Sequence, residues 1–388
     1  MTGRWATRLA CSATEATAPL DEPAFLSPAG KPWLVEYDLD PEWGSRWAEA
    51  LRSRPWTLWR YRELLPVADP AGAADLGEGG TPLVPLRRSG PAGARVWIKD
   101  ESGNPTGSFK ARGLAMAVTR ARELGAPGVE LPSAGNAALA LAAYAAAAGL
   151  PARLALPEDT PEEIARRCRL HGAEVLTGGS TLVEAGELLA EAGAEGAEPC
   201  WNLSTLKEPY RAEGKKTMGL ELAEQMGWDL PEWILYPTGG GTGIVGMWKA
   251  FAELERLGLV GSRRPRFVAV QMAGCAPIVR AFEAGAEAAE PWKAPETRAY
   301  GLRVPKAIGD FLILRALRES GGRAVAVTEE RLAPAARRAA REEGLLVGPE
   351  GAACLAALDD LAAEGAFREG DRVVVFQTGH PANYDWRP

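Results

Sequence analysis

The chain has 388 residues, of which 46% are hydrophobic and 24% charged, and a formal net charge of −7. This length exceeds the usual size of one domain and predicts two domains that share a site. The acidic balance argues against non-specific nucleic-acid binding, which needs a basic surface. With five dispersed cysteines and two histidines, a zinc site or a Cys–His or Ser–His nucleophile is not expected. We therefore expect any catalytic chemistry to depend on lysines, carboxylates or a cofactor.

The sequence also carries expectations about location. The N-terminus, Met1 to Arg8, lacks the apolar core of a secretion signal. The most apolar run, Ala137 to Leu150, is too short to span a bilayer. We therefore expect a cytoplasmic protein with reduced thiols and with neither a membrane nor a nucleic acid as partner.

The predicted elements begin after an N-terminal stretch that is rich in Trp, Pro and Arg and has no sustained hydrophobic period. We interpret this stretch as an extension around the catalytic body. Short apolar strands then alternate with helices. The predicted strands are 95–99, 128–131, 152–156, 173–176, 233–236, 266–271, 323–327 and 372–376, and the predicted helices include 110–124, 184–192 and 329–343. This alternation predicts an α/β fold with a mostly parallel sheet, in which ligands bind at the carboxyl ends of the strands.

The first strand-end loop runs from Asp100 to Lys110, a lysine at the start of a predicted helix. The partial positive charge of a helix N-terminus disfavours an ammonium ion. A lysine that loses its proton readily suits Schiff-base chemistry. Taken alone, this loop fits an ordinary surface lysine in a first helical turn at least as well.

Two other loops offer neutral hydrogen-bonding groups. Asn136 follows Gly135 after strand 128–131, and its amide can donate to a ring oxygen. Thr378 follows strand 372–376, and its hydroxyl can bond a heteroaromatic nitrogen without charging it. Each also has a plain structural interpretation, a helix N-cap for Asn136 and a hydroxyl-stabilised turn for Thr378.

The loop after strand 233–236 is the richest in glycine. It contains Gly239, Gly240, Gly241, Thr242 and Gly243. Successive N–H groups at a helix N-terminus make a phosphate cradle. The spacing from Gly241 to Gly246 also matches a dinucleotide fingerprint, but the next strand ends at Gln271 without the acid that holds the ribose. A terminal phosphate fits better. A lysine, a ring-oxygen donor, a phosphate cradle and a ring-nitrogen partner, in this order, make up a site for pyridoxal 5'-phosphate (PLP).

Together these loops resemble the fold-type-II PLP enzymes, the tryptophan synthase β family. The stretches 104–110, 208–217 and 301–305 are most similar to threonine synthases. The resemblance implies an α/β fold of two domains, each with a twisted, mostly parallel sheet flanked by helices, and PLP in the cleft between them. The implied domains are an N-terminal extension (1–66), a large PLP-binding domain (67–115 plus 212–388) and a small mobile domain (116–211).

The resemblance also implies roles for single residues. Lys110 would hold the cofactor as a Schiff base and move protons, and Asn136 would contact its 3′-oxygen. The glycine-rich loop would bind its phosphate, and Thr378 would face its pyridine nitrogen. The residues implied for the anionic groups of the substrate are Ser133, Asn202, Lys207 and Arg211. A guanidinium suits bidentate recognition of a phosphate or carboxylate.

The implied reaction converts O-phospho-L-homoserine and water to L-threonine and phosphate by γ-elimination and β-hydration. Ala111 and Ala134 motivate a second hypothesis, a β-eliminating or β-replacing enzyme that acts on serine, threonine or O-phosphoserine. A non-catalytic protein on the same scaffold is a third hypothesis, against which the intact Lys110 and glycine loop argue. The expected partner is a small, phosphorylated amino acid, and a homodimer through the N-terminal extension is a further hypothesis.

Overall fold

The computed structural model describes residues 4–194 and 196–388. The strands are β1 (Ala6–Cys11), β2 (Thr17–Pro19), β3 (Trp33–Tyr37), β4 (Leu83–Pro85), β5 (Arg95–Asp100), β6 (Val129–Pro132), β7 (Ala152–Leu156), β8 (Glu174–Thr177), β9 (Trp201–Asn202), β10 (Trp233–Pro237), β11 (Arg266–Met272), β12 (Arg323–Val327) and β13 (Arg372–Gln377). The α-helices are α1 (Pro41–Leu51), α2 (Lys110–Glu123), α3 (Asn136–Ala148), α4 (Glu162–Leu170), α5 (Leu182–Ala194), α6 (Tyr210–Gln225), α7 (Thr242–Arg256), α8 (Pro277–Glu283), α9 (Asp310–Glu319), α10 (Glu329–Arg338) and α11 (Pro349–Ala363).

The chain divides into two compact units. The first contains residues up to Asp40 together with 46–80 and 104–217, and the second contains 41–45, 81–103 and 218–388. The boundaries of these two units differ from those of the predicted domains. The predicted domains, including the mobility of the small domain 116–211, stay a prediction.

The parallel sheet of the first unit has the strand order β8-β7-β6-β9. Helix α3 packs against α2, and its alanine-rich sequence allows a close approach because the side chains are small. The helix ends at Gly149, whose left-handed φ of 69° is readily adopted only by a residue without a side chain. Within the described residues, no helix has both the length and the apolar character needed to cross a bilayer.

The sheet of the second unit has the strand order β12-β11-β10-β13-β5-β4, and all of its strands are parallel except the short β4. The central strands are buried on both faces, which explains their continuous apolar runs, such as Val373 to Phe376. The predicted α/β fold with mostly parallel sheets is confirmed. The predicted strands 152–156 and 323–327 have the observed bounds, and each of the others differs by one residue at one end or at both.

One predicted helix, 329–343, changes its geometry along its length. The α-helical part, α10, ends at Arg338. A π-helical turn over Ala339–Glu343 follows it directly. The carboxylate of Glu343 accepts hydrogen bonds from the N–H groups of Arg87, Arg88 and Ser89. The end of the predicted helix therefore also holds the loop between β4 and β5.

The N-terminal stretch is more regular than the sequence analysis expected, because it forms an antiparallel sheet of order β2-β1-β3 followed by α1. A register shift in β1 between Ala6 and Arg8 breaks the alternation that would have identified the strand. The sheet is tied to α6, since the hydroxyl of Tyr37 donates a 2.6 Å hydrogen bond to Glu213. The ammonium of Lys216 pairs with the same carboxylate at 2.7 Å and lies 3.7 Å from the centre of the Tyr37 ring.

Candidate functional site

The predicted site residues form two groups, one in each unit. In the second unit, β10 and β13 are parallel neighbours in which Leu235 pairs with Val375. The same offset carries forward to Thr238 and Thr378, which follow the ends of these strands at the same edge of the sheet. Adjacent strands lie about 5 Å apart. The glycine-rich loop and the loop that begins with Thr378 therefore start side by side.

Packing alone requires glycine at three positions of this loop. A Cβ atom on Gly239 would lie 2.4 Å from the carbonyl oxygen of Gly301. Gly241 has a left-handed φ of 71°, and a Cβ atom there would overlap the side chain of Ile313 on α9. A Cβ atom on Gly243 would overlap the ring of Tyr236, at the end of β10. The loop therefore packs closely against its neighbours just before α7 begins at Thr242. The first N–H groups of a helix have no acceptor within it, so this turn presents donors to a ligand.

Thr378 is buried, with 4% of its surface exposed. It directly follows β13, which ends at Gln377. The neighbouring Gln377 closes the turn, because its side-chain amide donates a 2.8 Å hydrogen bond to the carbonyl of Gly379. The structure thus places a buried hydroxyl at a strand end, where α/β folds bind ligands.

In the first unit, the parallel neighbours β6 and β9 lead to two predicted residues. Glu130 pairs with Asn202, the last residue of β9, and Ser133 directly follows β6. The hydroxyl of Ser133 accepts a 3.3 Å hydrogen bond from the N–H of Gly135, and the next residue, Asn136, begins α3. Ser133, Asn136 and Asn202 therefore lie at strand ends or helix starts, where α/β folds bind ligands.

Lys110 is the first residue of α2 and is partly buried. The turn before it is held in an unusual conformation, with φ of 62° at Thr106 and 75° at Gly107. A positive φ is unfavourable for a β-branched residue and is often found at functional sites. Helix α3 packs against both α2 and the turn Pro105–Gly107. The helix that begins at Asn136 therefore supports the segment that positions Lys110.

Arg211 lies on α6 with 2% of its surface exposed. Its Nη1 donates a 2.7 Å hydrogen bond to the carbonyl of Leu203, directly after Asn202, while its buried Nε has no partner among the described residues. Burial lowers the pKa of Arg211, and the nearby carboxylate of Glu208 opposes this shift. The structure thus brings Arg211 to the end of β9, whereas Lys207 is exposed on the connection between them.

The sequence analysis missed Lys215, which is fully buried on α6. Its Nζ lies 5.1 Å from the centre of the Phe109 ring, and Nζ of Lys110 lies 4.4 Å from the same point. The available sequence pattern was the spacing of Arg211 and Lys215, since side chains four residues apart share a helix face. That pattern becomes informative only when the face is known to be buried.

Residues 74–379 match the family described as pyridoxal-phosphate dependent enzyme. Among curated proteins, the chain is similar to a threonine synthase of Methanocaldococcus jannaschii, with 34% identity over 94% of this chain and 90% of the relative. It is also similar to a threonine synthase of Methanosarcina acetivorans, with 37% identity over 86% of this chain and 81% of the relative.

Two solved structures are similar in fold. Maize serine racemase has a TM-score of 0.67 and 23% identity, covering 79% of this chain and 88% of that one. The T.th. threonine deaminase has a TM-score of 0.64 and 29% identity, covering 79% of this chain and 94% of that one. At this level of identity, the serine racemase informs on the fold alone.

Proposed function

Because the chain belongs to the pyridoxal-phosphate-dependent enzymes, we propose that it is a carbon–oxygen lyase that converts O-phospho-L-homoserine and water to L-threonine and phosphate. The observation that carries this proposal is the 34% identity to a threonine synthase, which extends over 94% of the chain. A similarity of this extent includes both parallel sheets and the loops that follow their strands, and is not limited to the cofactor motifs.

Family membership makes PLP the cofactor, and the residues of the second unit fit it. The amides from Gly239 to Gly243 lead into the start of α7 at Thr242 and suit a phosphate group, because the helix terminus adds its own partial positive charge. The buried hydroxyl of Thr378 suits the pyridine nitrogen. A hydroxyl bonds this nitrogen without charging it, and so moderates electron withdrawal by the ring.

In the first unit, we assign to Lys110 the covalent attachment of PLP through Nζ, and to Asn136 a hydrogen bond to the 3′-oxygen. Bound PLP supplies an electron sink that makes a proton on the substrate Cα acidic. When not attached to the cofactor, Nζ of Lys110 would be a free amine that can take the Cα proton as a general base. The strained turn at Thr106 supports this role, because it fixes where α2 begins.

We assign the anionic groups of the substrate to Ser133, Asn202, Lys207 and Arg211. The buried Nε of Arg211 without a partner supports this assignment, because a buried donor without an acceptor is costly and a bound anion would satisfy it. Lys207 is exposed and would contribute at the entrance. With the anion held, the overall conversion would remove phosphate from Cγ and one proton from Cβ, add a proton at Cγ and the hydroxyl group of water at Cβ, and return the proton taken from Cα.

The test uses purified protein with O-phospho-L-homoserine, O-phospho-L-serine and L-threonine as separate substrates. We expect phosphate and threonine to form from O-phospho-L-homoserine. Lys110→Ala should lose both the visible absorption of the bound cofactor and all turnover, whereas Lys31→Ala, at an exposed lysine, should keep both. If Lys110→Ala keeps the absorption and the turnover, the attachment of PLP to Lys110 is refuted.

A second candidate is a β-eliminating or β-replacing enzyme that acts on serine, threonine or O-phosphoserine. Two alanines beside the proposed site support it, Ala111 directly after Lys110 and Ala134 directly after Ser133. The similarity to a threonine deaminase at 29% identity supports it as well. The same assays separate the candidates, because phosphate released only from O-phosphoserine, or 2-oxobutyrate formed from threonine alone, would favour the second.

A further inference from the structure

The side chain of Gln271 lies near the end of β11, next to the point where the glycine-rich loop begins. Pairing between β10 and β11 ends at Pro237 and Val270. The N–H of Thr238 still donates a 2.8 Å hydrogen bond to the carbonyl of Val270. The carbonyl of Thr238 accepts a 2.9 Å hydrogen bond from a side-chain donor, Nε2 of Gln271. Gln271 therefore holds the chain where it leaves the sheet.

The other end of the same amide accepts hydrogen bonds from α8. Oε1 of Gln271 accepts from the N–H groups of Ile278 at 2.8 Å and Val279 at 3.2 Å, both in the first turn of this helix. A tight turn leads from β11 to α8, in which the N–H of Cys275 donates a 2.8 Å hydrogen bond to the carbonyl of Met272. One side chain thus joins the start of α8 to the start of the glycine-rich loop.

The two ends of the Gln271 side chain are not interchangeable. Oε1 faces two donors and Nε2 faces an acceptor, an arrangement that an amide matches in one orientation. A carboxylate could accept from both helix N–H groups but has no hydrogen to give to Thr238. Gln271 and Thr238 have no exposed surface, and a buried carbonyl that loses its donor is costly. An amide therefore fits at a strand end where dinucleotide-binding proteins have an acid.

The bond to Thr238 also determines where the next N–H group points. The peptide between Thr238 and Gly239 is trans and planar, so its carbonyl and its N–H point in opposite directions. Because the carbonyl points toward Gln271, the N–H of Gly239 points away from it. Gly239 also packs against a second segment, since a Cβ atom there would lie 2.4 Å from the carbonyl oxygen of Gly301. The first amide of the loop therefore has little freedom to rotate.

We propose that Gln271 is a positioning residue for the phosphate of the cofactor, because it orients the N–H of Gly239 through the carbonyl of Thr238. This inference rests on the proposed binding of the PLP phosphate by the glycine-rich loop. Without the donor on Gln271, the peptide can turn its carbonyl toward another donor, and its N–H then turns away from the phosphate. The phosphate loses one hydrogen bond, whereas the rest of the cofactor is bound as before.

The test compares PLP with pyridoxal, which lacks the phosphate. Titration of the apoprotein with each ligand, followed by the quenching of tryptophan fluorescence, gives two dissociation constants. The constant for pyridoxal divided by that for PLP measures what the phosphate contributes, and we expect a ratio well above unity in the unaltered protein. Gln271→Met has a side chain of similar length that cannot donate. It should reduce the ratio by about tenfold and change pyridoxal binding by less than about twofold, since one hydrogen bond to a charged group is lost.

Gln225→Met is the matched control. Nε2 of Gln225 also donates a 2.9 Å hydrogen bond to a backbone carbonyl, that of Thr81, so the same kind of bond is removed at another place. This variant should keep the ratio of the unaltered protein. If Gln271→Met keeps the ratio too, the proposal is overturned. It is also overturned if Gln271→Met weakens PLP and pyridoxal by the same factor, because the loss then reflects general damage to the site.

A second variant tests the same bond where Gln271→Met does not fold. Gln271→Glu still accepts from Ile278 and Val279, but only its neutral form has an O–H to donate to Thr238. Its ratio should therefore fall below that of the unaltered protein as the pH rises. A ratio equal to that of the unaltered protein at every pH measured would overturn the proposal.

These measurements separate the inference from the proposed function, because neither dissociation constant depends on turnover. If PLP and pyridoxal bind the unaltered protein equally well, the phosphate site itself is refuted, and the role of Gln271 with it. If only the Gln271 variants fail to change the ratio, the proposed reaction is unaffected. A protein that does not convert O-phospho-L-homoserine can still show the expected loss.

Discussion

The hydroxyl of Tyr144 on α3 donates a 2.7 Å hydrogen bond to Oε2 of Glu78, a residue that precedes it by 66 positions. The other carboxylate oxygen, Oε1, accepts a 2.7 Å hydrogen bond from the indole of Trp59. All three side chains are buried. The carboxylate therefore joins the segment before β4 to the helix that begins at Asn136.

This relationship predicts that Tyr144→Phe destabilises the protein without changing its fold. The substitution removes a donor from a buried carboxylate while preserving the shape of the ring, and such a loss costs about 1–3 kcal/mol. Unfolding in urea, followed by circular dichroism, measures the change. Tyr300→Phe, at a tyrosine with 36% of its surface exposed, should alter the free energy of unfolding by less than about 0.5 kcal/mol. Equal effects of the two substitutions would contradict the role assigned to Glu78.

A second prediction concerns pH and follows from Glu208. Burial raises the pKa of this carboxyl from 4.5 to about 7, so the folded protein keeps a proton over a range in which the unfolded chain has lost it. The free energy of unfolding should therefore fall as the pH rises from about 4.5 to about 7, by at most about 1.4 kcal/mol per pH unit from this group. Urea unfolding at several pH values measures the slope. Glu208→Gln should reduce it, and Glu187→Gln, at an exposed position, should not.

The buried ion pair between Lys99 on β5 and Glu221 on α6 gives a third prediction. Both side chains have no exposed surface, and Oε1 of Glu221 also accepts hydrogen bonds from the N–H and hydroxyl of Thr81. Lys99→Met leaves a buried carboxylate without its cation, which costs about 3–5 kcal/mol.

The matched control for Lys99→Met is Arg323→Met, at a partly exposed pair in which Arg323 contacts Glu364 at 2.7 Å. Exposed pairs contribute about 0–1 kcal/mol, so this variant should be close to the unaltered protein. Adding Glu221→Leu to Lys99→Met should recover part of the loss, because the carboxylate left alone is then removed. Similar unfolding free energies for Lys99→Met and Arg323→Met would show that burial of the pair has no energetic consequence.

The fold was largely predictable from sequence because the central strands are buried on both faces. Apolar runs such as 372–376 then appear without interruption, and the loop after each marks a strand end. This logic identified Lys110, the glycine-rich loop and Thr378 as candidates. It failed where an element is irregular or very short, as with β1, which contains a register shift, and β9, which has two residues.

The surroundings of Lys110 could not be predicted in the same way. Lys215 follows it by 105 positions, and the two amines approach one ring only because α6 packs where Gly113 has no side chain. Hydrophobic periodicity reports which face of a helix is buried, but not which neighbour covers it. Residue type alone would also assign a charged residue to the surface, even where its position is buried.

The glycine-rich loop supports a prediction that separates packing from ligand binding. Gly243→Ala would place a Cβ atom in the ring of Tyr236, so the loop or the ring must move. Overpacking of this kind costs about 1–3 kcal/mol, and we expect the apoprotein to lose that much unfolding free energy. We also expect weaker binding of PLP, since the displaced turn carries the amides proposed to hold its phosphate.

Gly261→Ala, where no atom lies within 4 Å of the added Cβ, is the control and should leave stability and PLP affinity unchanged. An apoprotein of unaltered stability that binds PLP weakly would show that the loop relaxes freely and that Gly243 serves the ligand alone. A destabilised apoprotein with unaltered PLP affinity would instead remove Gly243 from the proposed phosphate site.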